Sequence, residues 1–474
     1  MQLLQKFIFL IIISLTLYNS SFASLNGDIQ NLIKKYGLSN ASIGIAVQRT
    51  NSSKWLYNHH SNTNYTPASN NKVFTAVGAL LTLSRNFSFE TAAYYKKSNL
   101  KGHTLYGDLY INFTGDPTLT TSGLNRLIKQ IQAKGINKIN GNVIAIANTF
   151  TGSNYPLGWA QTDVNQCYAA PTSSMNLNRN CMIISIQSTG RSSTKVKPIF
   201  NADHIKINNK VKFVSKKTSK TCGFEASMNS RNTLDLNGCL PKRGEWRLKF
   251  AITNPALKTL QELEVILKKS RITYTGTLSV GDMPSYGLIL LTSIHSGTLN
   301  YLLKHMLQRS DNLYAESLAR AVGHKLNGSG TIKSGVSGIT QQIHTKLDIE
   351  TDNNLIMEDG SGLSHLDSVT PKFMAEFLTE TYNNNKIGKT FYNSLAISGV
   401  SGTIAYRMNS KALMGKVRAK TGTLSGTSTL SGYVLTKRIH RLSFSIMLND
   451  LKSSQRKSAR RFQDQVVTLL YNKL

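Results

Sequence analysis

The sequence predicts an α+β fold, with helices flanking an antiparallel sheet and the middle of the chain inserted into it. Three observations lead there. The C-terminal third reads as helices, then strands, then one more helix. Two strand-like runs stand near the N-terminus, where they can complete the same sheet. Between these ends, beyond about residue 88, short strand-like runs punctuated by Gly and Pro take over, and all four cysteines fall in this part.

In chain order, residues 1–23 read as a secretory signal peptide: "MQLLQK" with Lys6, the apolar run "FIFLIIISLTLY", then small residues with cleavage after Ala23. An uncleaved anchor is the rival reading. No cysteine lies near the cleavage site, as lipoprotein processing would require, and no later apolar run is long enough to span a bilayer. The expected location is the periplasm, with the protein soluble or loosely attached to the envelope. "DIQNLIKKYGL" has helical spacing, and "ASIGIAVQRT" and "KWLYNHH" read as strands joined by a polar turn. "YTPASNNKVFTAVGALLTL" opens a helix that ends near Ser84. The middle supplies strands in "HTLYGDLYINFTGDPTL" and "GNVIAIA", helices in "LNRLIKQIQAKGI" and "NPALKTLQELEVILKKSRI", and a polar, Lys-rich, β-rich stretch from about Cys181 to Glu245. Beyond Ser296 come a helix, a short polar break and another helix, then "PKFMAEFLTETYNN", three strands from "GKVRAKTGTL" to "HRLSFSIMLND", and a basic helix from Ser453 to Lys473.

The 474 residues exceed one ordinary core and suggest two to four domains. Lys plus Arg number 56 against 24 Asp plus Glu, a net charge of +32 spread over the whole length. Such a surface attracts anionic wall polymers or lipid headgroups. Export argues against nucleic acid as a partner. Nothing in the sequence selects monomer or oligomer. Cys167, Cys181, Cys222 and Cys239 are disulfide candidates in an exported chain. Pairing of sequence neighbours is the simplest arrangement. A zinc site is the rival reading, but CxxC and HxxxH spacings are missing. No metal or other cofactor is expected.

Three short motifs carry chemistry. Ser69 and Lys72 share a face at the start of a helix, where the dipole favours developing negative charge and a desolvated lysine can act as base. Ser310, Asp311 and Asn312 fill the break between two amphipathic helices. Lys420, Thr421, Gly422 and Thr423 lie on a strand near a sheet edge, where a bare Gly422 would let a substrate backbone add as a strand. Each has an ordinary reading as a cap, a helix stop or a bulge. In this order and these contexts, S-x-x-K, S-D-N and K-T-G form the signature of penicillin-recognising acyl-serine enzymes.

About 240 residues separate Ser69 from Ser310. "LYGDLYINFTGDPTL", "GNVIAIANTFTG", "NQCYAAPTSSMNLNRNC", "GCLP" and "DGSGLSHLDSVTP" resemble the class C low-molecular-mass penicillin-binding proteins, which are D-alanyl-D-alanine carboxypeptidase/endopeptidases. The resemblance covers nearly the whole mature chain. It implies a transpeptidase/β-lactamase-like domain from 24–88 and 290–474, an inserted domain from 89–180 and 250–289, and a β-rich domain from 181–249 nested within it. It further implies Ser69 as nucleophile, Lys72 as base, Ser310 as proton relay and Asn312 as a positioning group. Lys420, Thr421 and Thr423 would hold the substrate carboxylate, with backbone N–H groups of Ser69 and Thr423 as the oxyanion hole. The expected partners are peptidoglycan peptides and β-lactams. Asp163 and Tyr168 match positions that read the stem-peptide side chain. His365 stands where Arg is usual, Asp367 where Asn is common, and Ser425 replaces a longer polar residue. A histidine cannot replicate an always-charged guanidinium, so the resemblance implies weaker or pH-dependent carboxylate recognition. The alternatives are a serine β-lactamase or esterase on the same fold, and a noncatalytic wall-binding protein. An ExxLN stretch, a GxSxG elbow and an HExxH motif are all missing.

Overall fold

The computed structural model describes residues 25–474 except Ser53, Arg191, Arg243 and Asn353; the signal-peptide reading lies outside the described residues. The described chain divides into two compact units. One comprises residues 25–82, 303–311 and 338–474; the other comprises 83–302 and 312–337.

The first unit is built on a six-stranded antiparallel sheet made from both ends of the chain. We label its strands β1 (Ser42–Arg49), β2 (Trp55–His59), β3 (Ala396–Ile397), β4 (Val417–Leu424), β5 (Thr427–Leu435) and β6 (Arg441–Asn449). The order across the sheet is β2–β1–β6–β5–β4–β3. β1 pairs with β6 along its whole length, from Ser42 opposite Asn449 to Arg49 opposite Leu442. The N-terminal strands therefore do complete the C-terminal sheet.

The period-2 pattern of these strands separates two chemistries. Ile43, Ile45, Val47, Leu430, Val434, Leu442, Phe444, Ile446 and Leu448 enter one apolar core with helix α1 (residues 25–35) and the C-terminal helix. Many of the alternate positions are small or hydroxylated: Gly44, Ala46, Ser431, Ser443 and Ser445 are all buried, beside the larger Gln48, Tyr433 and Met447. This second face receives the turn that opens helix α2 (Lys72–Thr82) and the helix Pro371–Asn383, whose Thr379 is hydrogen-bonded to Ser443 at 2.7 Å. Phe74 of α2 meets Phe377 edge-on, with centroids 4.6 Å apart. A Cβ on Gly78 would come within 2.7 Å of Ile339. Ile339 belongs to the helix Ile332–Leu347, whose two glycines, Gly335 and Gly338, hide it from pattern reading.

The second unit has two cores. A five-stranded sheet runs in the order Leu278–Gly281, Val143–Ile146, Leu109–Phe113, Glu90–Tyr95, Ile289–His295. Helices Thr121–Ala133 and Pro255–Lys269 pack onto it through Leu124, Leu127, Ile128, Ile131, Leu263 and Leu267. The other core gathers Met182, Ile184, Ile186, Phe213, Leu234 and Leu236 from short strands between Cys181 and Ala251. Both disulfides join sequence neighbours: Cys167 to Cys181 and Cys222 to Cys239. No cluster of His, Cys, Asp or Glu suited to a metal occurs among the described residues. No described helix is long and apolar enough to cross a membrane.

The Cys222–Cys239 bridge spans 17 residues and ties the helix Lys216–Cys222 to the strand Leu234–Pro241. Replacing both cysteines by alanine should lower the stability of the 181–249 region by about 3 kcal/mol, by the loop-closure estimate. Hydrogen exchange confined to that region would show it.

Candidate active site

Ser69 lies in a single 3-10 turn, Ala68–Asn71, and the regular helix α2 begins only at Lys72. The expected helix opening is thus one tight turn longer than the α-helix. Ala68 has φ of 49°, in the left-handed region that a side chain disfavours. Three contacts hold this turn on the hydroxyl face of the sheet. Asn70 Nδ2 donates to Ser431 Oγ at 2.8 Å, Thr429 Oγ1 donates to the Pro67 carbonyl at 2.7 Å, and the Thr66 N–H donates to Asn449 Oδ1 at 2.9 Å.

Lys72 has 0% exposure. Its Nζ donates to Ser69 Oγ at 3.0 Å and to the Ser361 carbonyl at 2.6 Å. A buried ammonium needs such acceptors, because desolvation alone costs several kcal/mol. The loop that offers the Ser361 carbonyl is knotted by Asp359. Its carboxylate accepts the N–H groups of Ser361, Gly362, Leu363 and Ser364 at 2.9, 2.5, 3.0 and 2.8 Å. Asn71 Nδ2 donates to the Asp359 carbonyl and to Asp367 Oδ2, and Thr75 Oγ1 donates to the Gly360 carbonyl. In the sequence this stretch marks the family and, through His365 and Asp367, a departure in carboxylate recognition. Its structural part, positioning Lys72, leaves no spacing signal because Asp359 bonds its own loop.

The break after helix α3 (Leu299–Arg309) presents Ser310 with φ of 56°. Asp311 anchors that strained residue: its carboxylate faces His305 Nε2 at 3.1 Å, and its N–H donates to the Met306 carbonyl. Ser310 Oγ accepts from Lys420 Nζ at 2.8 Å, and Lys420 also donates to the Thr421 carbonyl at 2.6 Å. Lys420 has 0% exposure as well. Burial, reinforced by the positive charge of Lys72, holds its ammonium pKa well below the usual lysine value.

β4 is hydrogen-bonded to β5 throughout, but β3 pairs with it only at Arg418 and Ala419. The outer edge at Thr421–Thr423 therefore lacks a neighbouring strand in this sheet. The space a side chain on Gly422 would need is taken by Thr429 Oγ1 at 2.1 Å and the Pro67 carbonyl at 2.5 Å. Gly422 thus also serves the approach of the Ser69 turn. Gly362 does the same from the other side: its φ is +75°, and a Cβ would lie 1.9 Å from the Ala68 carbonyl.

Ser69, Ser310, Thr421, Gly422 and Thr423 line one cavity of about 360 Å³. Thr403, Arg407, Ser428 and Arg460 complete its lining, none of them foreseen from sequence. Thr421 Oγ1 donates to Thr403 Oγ1 at 2.9 Å. His365 and Ser425 belong to the same unit, but both are exposed and outside this lining. Asn312, Asp163 and Tyr168 fall in the second unit and meet there. Asn312 Nδ2 donates to the Tyr168 carbonyl at 2.7 Å, and Tyr168 Oη donates to Asp163 Oδ1 at 2.7 Å. Partial burial first, then the Asp163 hydrogen bond and charge, push the Tyr168 phenol up to about 12. The adjacent Cys167–Cys181 bridge tethers this tyrosine.

Two outcomes follow. Gly362→Ala should destabilise the first unit by about 2 kcal/mol or more, through left-handed strain plus overpacking, and slow covalent labelling of Ser69; urea unfolding and a labelling time course would read both. For Lys420, the folded-state pKa lies below the unfolded one, so the unfolded chain binds more protons between the two values and stability rises with pH across that window. Lys420→Met removes this contribution. The stability of the variant relative to wild type should be greatest at low pH and shrink as pH rises towards the ordinary lysine pKa, measured by urea unfolding at stepped pH.

The same architecture occurs in known proteins. Residues 25–473 match the model of the D-Ala-D-Ala carboxypeptidase 3 (S13) family. The chain is 30% identical over 465 residues to the D-alanyl-D-alanine carboxypeptidase DacB of Haemophilus influenzae, covering 95% of this chain and 94% of that protein. It is 28% identical to the D-alanyl-D-alanine carboxypeptidase of Actinomadura sp. strain R39, covering 86% and 78%. The crystal structure of penicillin binding protein 4 from Haemophilus influenzae superposes with a TM-score of 0.88 at 28% identity, covering 94% of this chain and 99% of that one. That Haemophilus protein has also been solved complexed with a novel beta-lactam. With its fold, motif order and nearly full length matched together, the chain belongs to the D-Ala-D-Ala carboxypeptidase 3 (S13) family.

Proposed function

We propose that this protein is an exported serine D-alanyl-D-alanine carboxypeptidase and endopeptidase. It acts on peptidoglycan stem peptides and their cross-links through an acyl-serine intermediate. The observation that carries this reading is the contact of a fully buried Lys72 with Ser69 Oγ at 3.0 Å, with a second buried lysine, Lys420, on Ser310 in the same unit.

The chemistry runs in two halves. Burial and the neighbouring positive charge of Lys72 hold the Lys420 pKa low. Lys72 is placed to take the Ser69 proton as Oγ bonds to the carbonyl carbon of the penultimate D-Ala. The oxygen of the tetrahedral intermediate is received by the backbone N–H groups of Ser69 and Thr423, donors typically worth about 3–4 kcal/mol each in the transition state. The C–N bond then breaks, and Ser310 passes the proton to the departing amine. Asn312 positions the substrate amide; Lys420, Thr421 and Thr423 hold the carboxylate. Water cleaves the acyl ester and restores the Ser69 hydroxyl. A D-Ala leaving group makes this a carboxypeptidase reaction, and the side-chain amine of a neighbouring stem makes it an endopeptidase reaction. β-Lactams would acylate the same serine.

Asp163 and Tyr168 are assigned to the stem-peptide side chain, and His365 and Ser425 to the same specificity. The three-domain division, periplasmic location and loose electrostatic attachment to the envelope through the +32 charge complete the proposal.

Incubation with purified muropeptides, a pentapeptide monomer and a cross-linked dimer, followed by mass spectrometry, tests it. Wild type should release D-Ala from the first and split the second. Ser69→Ala should abolish both, together with labelling by a fluorescent penicillin. Peptide release surviving in Ser69→Ala would refute the site, and rapid turnover of penicillin would favour a β-lactamase instead.

A further inference from the structure

The cavity beside Ser69 contains a cation that this chemistry leaves unused. Arg460 lines it from helix α4 (Arg456–Lys473). Its side chain forms no hydrogen bond or ion pair among the described residues. The residue four positions on, Asp464, is where a helical arginine would find a partner. That carboxylate is already engaged by Arg407, whose Nε lies at 3.0 Å and whose terminal nitrogen lies at 2.8 Å. Arg407 also donates to Gln463 Oε1 at 3.0 Å and to the Arg460 carbonyl at 3.2 Å. Gln463 Nε2 in turn donates to Ser428 Oγ at 3.2 Å, and Ser428 is paired with Thr423 across β4 and β5. This network fixes the helix beside the K-T-G strand, neutralises Arg407 and leaves the charge of Arg460 unmatched.

The helix itself gains nothing from that charge. Its first turn holds no acidic residue, and Arg456, Lys457, Arg460 and Arg461 crowd its N-terminal part, where cations oppose the helix dipole. Arg460 is the one of these four that lines the cavity. An exposed arginine that lines the same cavity as Thr421 and Thr423 is suited to a carboxylate, which a guanidinium can meet with two parallel N–H donors.

We propose that Arg460 is a specificity-determining residue that binds the carboxylate of the leaving group. The inference rests on the proposed function. Both leaving groups of that reaction, D-Ala and the side-chain centre of diaminopimelate, carry a carboxylate on the carbon that bears the departing nitrogen. Arg460 would add a formal charge to the hydroxyl contacts of the K-T-G strand.

Two thioesters of the same acyl-D-alanine test it, one with a leaving thiol that bears a carboxylate and one with a neutral thiol of similar size. In each, the C–S bond breaks and the thiol departs with a proton, to be followed with a thiol reagent; no free cysteine occurs among the described residues to interfere. Arg460→Gln should lower kcat/KM for the carboxylate ester by about tenfold, the scale of one lost charge-assisted hydrogen bond, and leave the neutral ester within about twofold, the scale of an exposed charge change. Arg460→Lys should fall between, and Arg456→Gln, outside the cavity lining, should change neither. Equal loss on both esters, or no loss on either, would overturn the inference while leaving the enzyme reading standing. A folded wild type that cleaves neither ester and takes up no penicillin would overturn both.

Discussion

Two lysine ammonium groups, Lys72 and Lys420, are kept wholly out of water within one unit, and the rest of the site is organised around that constraint. Each must be surrounded by acceptors, because an unmatched buried charge would cost several kcal/mol. Each finds one serine hydroxyl and one backbone carbonyl in contact. The carbonyls come from different constructions: an irregular loop tied around Asp359 for Lys72, and the regular strand β4 for Lys420. The serines both depend on left-handed backbone, at Ala68 just before Ser69 and at Ser310 itself. Such conformations persist only where their surroundings over-determine them. Here the turn is gripped between two glycines, Gly362 and Gly422, whose missing side chains leave room for the Pro67–Ala68 backbone.

The sheet supplies the platform for this arrangement by dividing its two faces unequally. Bulky aliphatic residues crowd one face and provide most of the apolar burial that holds the unit together. The other face, apart from Gln48, Tyr433 and Met447, is lined by serines, threonines and small residues, which cannot contribute comparable burial but can hydrogen-bond the Ser69 turn directly. The alternation in "STLSGYVL" and "RLSFSIML" is therefore more than a strand signature; its polar half is the bed of the nucleophile.

Much of this was legible in the sequence, and the reason is locality. Periodicity marked β1, β5, β6 and the amphipathic helices, and the three motifs named Ser69, Ser310 and Lys420 because each motif is a few residues long. The neighbour pairing of the cysteines was the simplest of the open arrangements and is the one formed. What stayed hidden depends on contacts between distant segments. Asp359 knots its own loop, so its effect on Lys72 is visible only when residues 289 positions apart meet. Arg407 and Arg460 reach the cavity from a loop and a helix whose sequences read as ordinary basic surface. The helix Ile332–Leu347 was missed because its glycines weaken local propensity, while tertiary packing on Gly78 makes up the loss.

The pairing of β1 with β6 has a consequence for how such a molecule comes into being. The second strand of that pair, like the strand that carries Lys420, is delivered by the ribosome only after the whole of the second unit. The two cores of the second unit are complete in sequence long before then and can form as domains in their own right. The sheet that beds the nucleophile has to wait, with its first two strands unsatisfied along one edge, until β6 has been made. Ser69 and Lys72 are made before the second unit but gain their setting only after it, so a chain that stops short of β6 would contain the reactive pair without the framework that arms it.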